Sequence, residues 1–267
     1  MHSPATPTII DPELLLLAYR SGIFPMADSR HDPEVFWVEP RQRAILPLDG
    51  FHLSHSLART LRRGRFTVTC NAAFSRVMDA CAAPRGPDNG SWISHRIQAS
   101  YEMLHRLGHA HSLECWQNDA RGRPELVGGL YGVGFGRVFC GESMFSIRPD
   151  SSKVALAWLV AALRKGGAKL LDCQFITPHL ASLGAIEMPQ KRYLALLARA
   201  QSASAASGAS AAGLGAAGAG VGAGEAGLIA EPLPLPDAFD ALLEEASLLG
   251  LSSSPGKLIS QFLSQTS

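Results

Sequence analysis

Three features of the sequence predict a mixed α/β fold. Residues 137–175 read strand, helix, strand, and a helical crossover of that kind joins two parallel neighbours in one sheet. Residues 111–116 and 125–133 alternate in hydrophobicity around a turn at 118–123, the pattern of a hairpin. Helical patterns at 55–63, 72–81 and 94–107 come before the hairpin. Strands and helices are thus mixed rather than repeated as β–α units.

In chain order, Asp11 can cap a helix over 11–21, with Pro12 in the first turn and Gly22 past the end. Residues 23–26 read as an apolar loop, Phe36 and Trp37 follow, and 44–48 read as a short strand. Residues 1–49 are therefore expected to form a small N-terminal domain and 50–200 the main domain. Within the latter come a helix over 55–63, a strand at 66–70, a helix over 72–81 and a loop at 84–90. The helix at 94–107 carries Ile97, Tyr101, Leu104 and His105 at helical spacing, and Gly108 ends it. From 201 to 227 the chain is almost all Ala, Gly and Ser, so 201–235 is expected to be a flexible linker. Residues 236–267 are expected to be an acidic tail with one helix over 237–249.

Composition narrows the class. The 267 residues are 46% hydrophobic and 18% charged, enough for one large domain or two smaller ones. Net charge is +1, but from residue 201 onward there are six acids and one base, which leaves +6 on residues 1–200. A mildly basic body suits an anionic partner. The five cysteines are scattered and form no C-x-x-C pair, as in a reduced, cytoplasmic protein. No basic segment followed by an apolar core opens the sequence, and no apolar run reaches membrane-spanning length. A cytoplasmic location without membrane attachment is expected.

The strand–helix–strand unit holds the candidate site. Strand alternation puts Glu142 and Met144 on one face, and Asp172 and Gln174 on one face. In strands otherwise apolar enough to be buried, such groups are costly unless paired or used. A buried network that sets register is the plainer reading; Asp-Cys-Gln opposite Gly-Glu-Ser favours a site. Other motifs are weaker. His105, His109 and His111 resemble part of a zinc set, but Gly108 interrupts their geometry, so they read as structural. Gly132-x-Gly134-x-Gly136 is followed by a strand where a phosphate loop needs a helix; it reads as a hairpin with close backbone approach. Arg41, Arg43, Arg59, Arg62, Arg63 and Arg65 face one acid, Asp49, within 41–65. They fit nucleic-acid phosphate or a solvated helix face equally well. Trp92, at a loop-to-helix junction, reads as a core lid on residue type alone.

Taken together, the motifs resemble the leucyl/phenylalanyl-tRNA–protein transferase family over roughly residues 12–197. The matching residues are Tyr19-Arg-Ser-Gly-Ile-Phe-Pro-Met26, Phe36-Trp37 with Pro40, Trp92-Ile93, Leu104-His-Arg-Leu-Gly-His-Ala-His-Ser112 and Leu126-Val-Gly-Gly-Leu-Tyr-Gly-Val133. Phe139-Cys-Gly-Glu-Ser-Met-Phe-Ser146, Ser152-Lys153, Leu171-Asp-Cys-Gln174 and His179-Leu-Ala-Ser-Leu-Gly-Ala185 complete them. The resemblance implies an acetyltransferase-like (GNAT-like) catalytic domain beside a small N-terminal domain, and a monomer. It implies transfer of Leu or Phe, less well Met, from aminoacyl-tRNA to proteins with an N-terminal Arg or Lys. That transfer marks the acceptor for N-degron degradation, with no metal and no cofactor. By the same resemblance, Gln174 accepts a hydrogen bond from the attacking amine and Asp172 polarises Gln174. Glu142 holds the aminoacyl-adenosine end or the incoming basic residue. Met144, Leu156, Leu159 and Leu171 would line the amino-acid pocket, Trp92 would stack on the terminal adenine, and the six arginines would meet tRNA phosphates. Some members carry tryptophan directly after Phe-Pro, where this chain has Met26, so a stacking role does not transfer to that position.

Two rivals follow from the residues. An acyl-CoA N-acetyltransferase needs a glycine-rich turn before the crossover helix. Residues 146–152 contain no glycine, and Pro149 removes a donor. A non-catalytic tRNA-binding module would keep the arginines without needing Glu142, Asp172 and Gln174.

Overall fold

A computed structural model describes residues 8–84, 90–208 and 232–265. In chain order the elements are α1 (Pro12–Arg20), β1 (Phe24–Met26), β2 (Phe36–Val38), β3 (Gln42–Ile45), α2 (His55–Arg62) and β4 (Thr67–Cys70). Next come α3 (Phe74–Ala82), α4 (His95–Arg106), β5 (Ala110–Asn118), β6 (Pro124–Phe135), β7 (Val138–Ser146) and α5 (Ser151–Lys165). The chain continues through β8 (Leu170–Gln174), α6 (Pro178–Ala181), β9 (Ile186–Pro189), α7 (Gln190–Gly208), α8 (Leu235–Leu248) and α9 (Gly256–Ser264). Among the described residues no helix is long and apolar enough to cross a membrane.

Seven strands form one sheet in the order β4-β5-β6-β7-β8-β3-β9. Only the β7–β8 pair is parallel, across the crossover α5. The sheet is buried on both faces, and alternation sorts its side chains. Leu130, Phe139 and Leu171 join the layer containing α2, α5, α8 and α9. Tyr131, Val138, Cys140 and Leu170 join the layer of α1, α3, α4 and α7. The β6–β7 hairpin keeps Gly132 for a close approach: a Cβ there would lie 2.2 Å from the Cys140 carbonyl oxygen. Gly136 makes the turn with φ 54°.

Several local signals act as read. The Asp11 side chain accepts from the amides of Glu13 and Leu14, with Pro12 opening α1, and Gly108 ends α4 with φ 80°. Three expectations need correction. The apolar residues after Gly22 are not a loop: Phe24–Met26 pair with Phe36–Val38 as a two-stranded ribbon. The boundary at residue 49 falls too late, because β3 lies between β8 and β9 inside the main sheet. The C-terminal region is no appended tail. Twelve of the fifteen residues of α5 are buried, and a helix that is apolar all round needs cover on every side. The sheet covers one side and α8 with α9 cover the other, burying Leu235, Phe239, Leu242, Leu258, Ile259 and Leu263. Trp158 packs on Phe239 with ring centroids 5.1 Å apart, and Lys165 Nζ meets Glu245 Oε2 at 2.8 Å. The expected linker is helical as far as Gly208; its remainder up to 231 lies outside the described residues.

Candidate active site

The site forms where two parallel strands part. β7 and β8 pair only from Val138↔Leu170 to Cys140↔Asp172, and both strands run on beyond that point. Opposite the parting, Tyr131 pairs with Ser143 but Gly132 pairs with Gly141, so Glu142 is the extra residue of a bulge. A bulge re-aims a side chain out of regular alternation. On the other strand Gln174 has φ 56°, a left-handed conformation uncommon for a residue with a Cβ. Its amide nitrogen donates to Asp172 Oδ1 at 3.0 Å. The side chains of Glu142 and Gln174 meet across the gap, with Gln174 Nε2 donating to Glu142 Oε1 at 3.0 Å. That bond fixes the amide orientation and turns Gln174 Oε1, an acceptor, toward other partners.

Two cavities adjoin this pair. One, of about 260 Å³, is walled by Met144, Leu156, Leu159 and Leu171, all four of the expected pocket residues, together with Glu142, Gln174 and His179. The second, of about 200 Å³, is walled by Trp92, Phe24, Met26 and Phe175, again with Glu142 and Gln174. Trp92 is half-buried: it packs against the core layer of α1, α3, α4 and α7 and also lines this cavity. Its carbonyl accepts from the amide of Ala27 at 3.2 Å, which ties the N-terminal ribbon to the site.

Asp172 stands behind the pair and lines neither cavity. It is fully buried and holds Arg43 in a two-pronged ion pair, Nε to Oδ1 at 2.8 Å and Nη2 to Oδ2 at 2.5 Å. Tyr193 Oη adds a bond to Oδ2 at 3.3 Å. Arg43 also donates to the Gly22 carbonyl at 3.1 Å. Its guanidinium lies 4.8 Å from the Phe24 ring centroid and 4.6 Å from that of Tyr193. Burial opposes the cation, but the Asp172 carboxylate more than offsets it and holds the Arg43 pKa above its ordinary value. Arg43 is therefore no phosphate contact. The reading of 41–65 as one basic surface fails here because β3 joins β8 and carries alternate side chains inward. Asp172 likewise touches Gln174 through the backbone and not through the side-chain amide.

Glu142 is flanked by two tyrosines that sequence reading did not assign to the site. Tyr101 Oη donates to Glu142 Oε2 at 3.3 Å, and the Tyr19 and Tyr101 hydroxyls hydrogen-bond each other. Tyr101 was legible only as a core position of α4, and Tyr19 only as part of α1. Burial, with Asp172 nearby, pushes the Glu142 carboxyl up to about 8, against the hydrogen bonds from Tyr19 and Tyr101 and the charge of Arg43.

The remaining candidates are dispersed. Arg59, Arg62 and Arg63 are exposed on or just after α2, and Arg65 is exposed beside Phe66. Arg41 is exposed ahead of β3, five strand positions from β4, or about 24 Å at the usual strand spacing. Two of the three histidines have structural partners: His105 stacks on Phe74 at 4.2 Å and pairs its Nδ1 with the Ala110 carbonyl at 2.8 Å. His111 Nδ1 lies 3.1 Å from Asn71 Nδ2, and burial, with His105 and His109 nearby, lowers its pKa to about 4. Among the described residues no group of three or more His, Cys, Asp or Glu could hold a metal ion.

Comparison with known proteins places the chain. The family model described as leucyl/phenylalanyl-tRNA protein transferase matches residues 45–198, and the model of that family's N-terminal domain matches residues 9–41. A leucyl/phenylalanyl-tRNA–protein transferase of Novosphingobium aromaticivorans is 66% identical over 266 residues, covering 98% of each chain. The protein of that name from Rhizorhabdus wittichii is 58% identical over 75% of this chain and 79% of its own. The one from Zymomonas mobilis is 57% identical over 73% of this chain and 70% of its own. Among solved structures, a functionally unknown conserved protein from Staphylococcus epidermidis matches at TM-score 0.36 and 12% identity, over 68% of this chain and 66% of that one; so low a score carries no argument. With two family models spanning most of residues 9–198 and a relative matching nearly end to end, the chain belongs to the leucyl/phenylalanyl-tRNA–protein transferase family and is a transferase enzyme.

Proposed function

We propose that this enzyme moves leucine or phenylalanine, and less well methionine, from aminoacyl-tRNA to the N-terminal Arg or Lys of proteins, and so marks them for N-degron degradation in the cytoplasm. The observation that carries the reading is the apolar cavity of Met144, Leu156, Leu159 and Leu171 opening directly onto Glu142 and Gln174. The aminoacyl side chain fills that cavity, and the terminal adenosine lies along Trp92 in the neighbouring one. Because an aminoacyl ester is already activated, catalysis consists mainly of bringing two chain ends together in the right orientation. Gln174 Oε1 accepts a hydrogen bond from the incoming α-amine. Asp172 acts as a positioning residue: it holds the left-handed Gln174 backbone and is itself held by Arg43. A parallel crossover unit in an otherwise antiparallel sheet supports a GNAT-like catalytic domain. The enzyme works as a monomer, without metal or cofactor.

Labelled leucyl-tRNA and a peptide beginning with Arg test this. The peptide is expected to become labelled; RNase is expected to abolish labelling, and chelator to leave it unchanged. Transfer from acetyl-CoA instead, or tRNA binding without transfer, would contradict the reading.

Arg41, Arg59, Arg62, Arg63 and Arg65 meet tRNA phosphates. Affinity for leucyl-tRNA is therefore expected to fall steeply with salt. Each arginine changed to Gln should flatten the log–log slope by about 0.7–0.9. A salt-independent affinity in filter binding would sink this assignment.

A further inference from the structure

We propose that the Glu142 carboxylate takes the proton from the acceptor's α-ammonium group, with the Tyr101–Tyr19 hydroxyl pair positioning that carboxylate. The inference rests on the aminoacyl transfer proposed above and supplies the base that the reaction needs. An α-ammonium cannot attack an ester until it gives up a proton, and the side-chain amide of Gln174 is no base. Asp172 is excluded by its partners. Its Oδ1 accepts from Arg43 and from the Gln174 amide, its Oδ2 from Arg43 and Tyr193, and it lines neither cavity. Glu142 lines both. It is bonded to the side chain that orients the amine, and a carboxylate's two oxygens keep acceptor capacity beyond the Gln174 and tyrosine donors.

The groups facing Glu142 tune it for this task. They are Tyr19 on α1, Tyr101 on α4, Asp172 on β8, Arg43 on β3 and Cys140 on β7, with His179 on α6 lining the same cavity. Burial and the Glu142 charge hold both tyrosines well above their ordinary pKa, so they stay protonated and serve as donors. The carboxyl, raised chiefly by burial to about 8, matches an α-ammonium, whose ordinary pKa is about 7.7–8.0. Proton transfer between them is then nearly balanced, the condition under which general-base catalysis works best. The ε-ammonium of an acceptor lysine, at about 10.4, would give up its proton far less readily. The same carboxylate thus directs acylation to the chain end.

In the step itself, the proton passes from the ammonium to Glu142, and the freed lone pair forms the C–N bond to the ester carbonyl carbon. The bond from that carbon to the ribose oxygen breaks. The ribose oxygen takes the second proton shed by the nitrogen, and Glu142 returns its own to solvent.

Single-turnover leucyl transfer to an Arg-starting peptide, measured from pH 6 to 9.5, tests the proposal on the full chain. The unaltered enzyme is expected to rise with unit slope and level off near pH 8. Glu142→Gln should lose about 10²–10⁴-fold at the plateau, read at saturating leucyl-tRNA so that a change in donor affinity is separated from the rate. Tyr101→Phe removes a hydrogen bond that favours the carboxylate, so its break should move to higher pH. An unaltered rate in Glu142→Gln, or an unmoved break in Tyr101→Phe, would overturn the proposal; the tyrosine variant decides alone if Glu142→Gln fails to fold. Absence of transfer by the unaltered enzyme would instead refute the reaction assigned above.

Discussion

Replacing Asp172 by alanine is expected to destabilise the fold by about 3–5 kcal/mol, because it strands the Arg43 cation in the interior. Arg43 and Asp172 are both almost completely buried, so neither charge can be rescued by water. Urea melts of Asp172→Ala and Arg43→Ala should show similar losses, since each removes one half of the same pair. In a chain of this size the melting temperature should drop by about 6–20 °C. The double change Arg43→Met with Asp172→Leu should recover much of the stability, as apolar replacements of buried pairs often do. It should not recover transfer, because the Gln174 amide would have lost its acceptor. Single variants as stable as the unaltered chain would show that the pair is not the internal brace described here.

Deleting residues 232–265 is expected to abolish cooperative folding. The deletion uncovers the outer side of α5, where Trp158 is now 3% exposed. It also removes six buried Leu, Ile and Phe side chains of α8 and α9, each worth about 1.5–3 kcal/mol. That sum is comparable to the whole stability of a typical domain, about 5–15 kcal/mol. The shortened chain should therefore be insoluble or melt without a cooperative transition. A sharp melt at the full-length temperature would mean that α8 and α9 merely decorate the fold.

These two cases also show where the sequence was legible. Patterns that depend on neighbours in the chain read correctly: the Asp11 cap, the β5–β6 hairpin, and the crossover α5 between parallel strands. That Met144, Leu156, Leu159 and Leu171 line one cavity follows from that unit, because strand alternation and helix spacing decide which side chains face the gap. Facts that depend on distant pairing did not read. Arg43 looked like its exposed neighbours, and only the register of β3 against β8 takes it inside. The bulge that re-aims Glu142 comes from two glycines, Gly132 and Gly141, pairing across a hairpin, a match invisible in either strand alone. The tyrosine pair joins residues 82 positions apart. The C-terminal helices leave a trace, since ten successive apolar residues in α5, Val154 to Leu163, call for cover on both sides. Their acidic surface and the Ala/Gly/Ser stretch before them masked it.

The central claim is that Gln174, held in a left-handed turn at the parting of β7 and β8, orients the attacking amine. Single-turnover transfer by Gln174→Ala measures this most directly, alongside its stability and its affinity for leucyl-tRNA. Gln174 is buried and lines both cavities, so the rate is compared at saturating leucyl-tRNA on protein that still melts cooperatively. The transfer rate should fall about 10²-fold, the usual scale for lost orientation at a reacting centre. A rate indistinguishable from that of the unaltered enzyme would contradict the account.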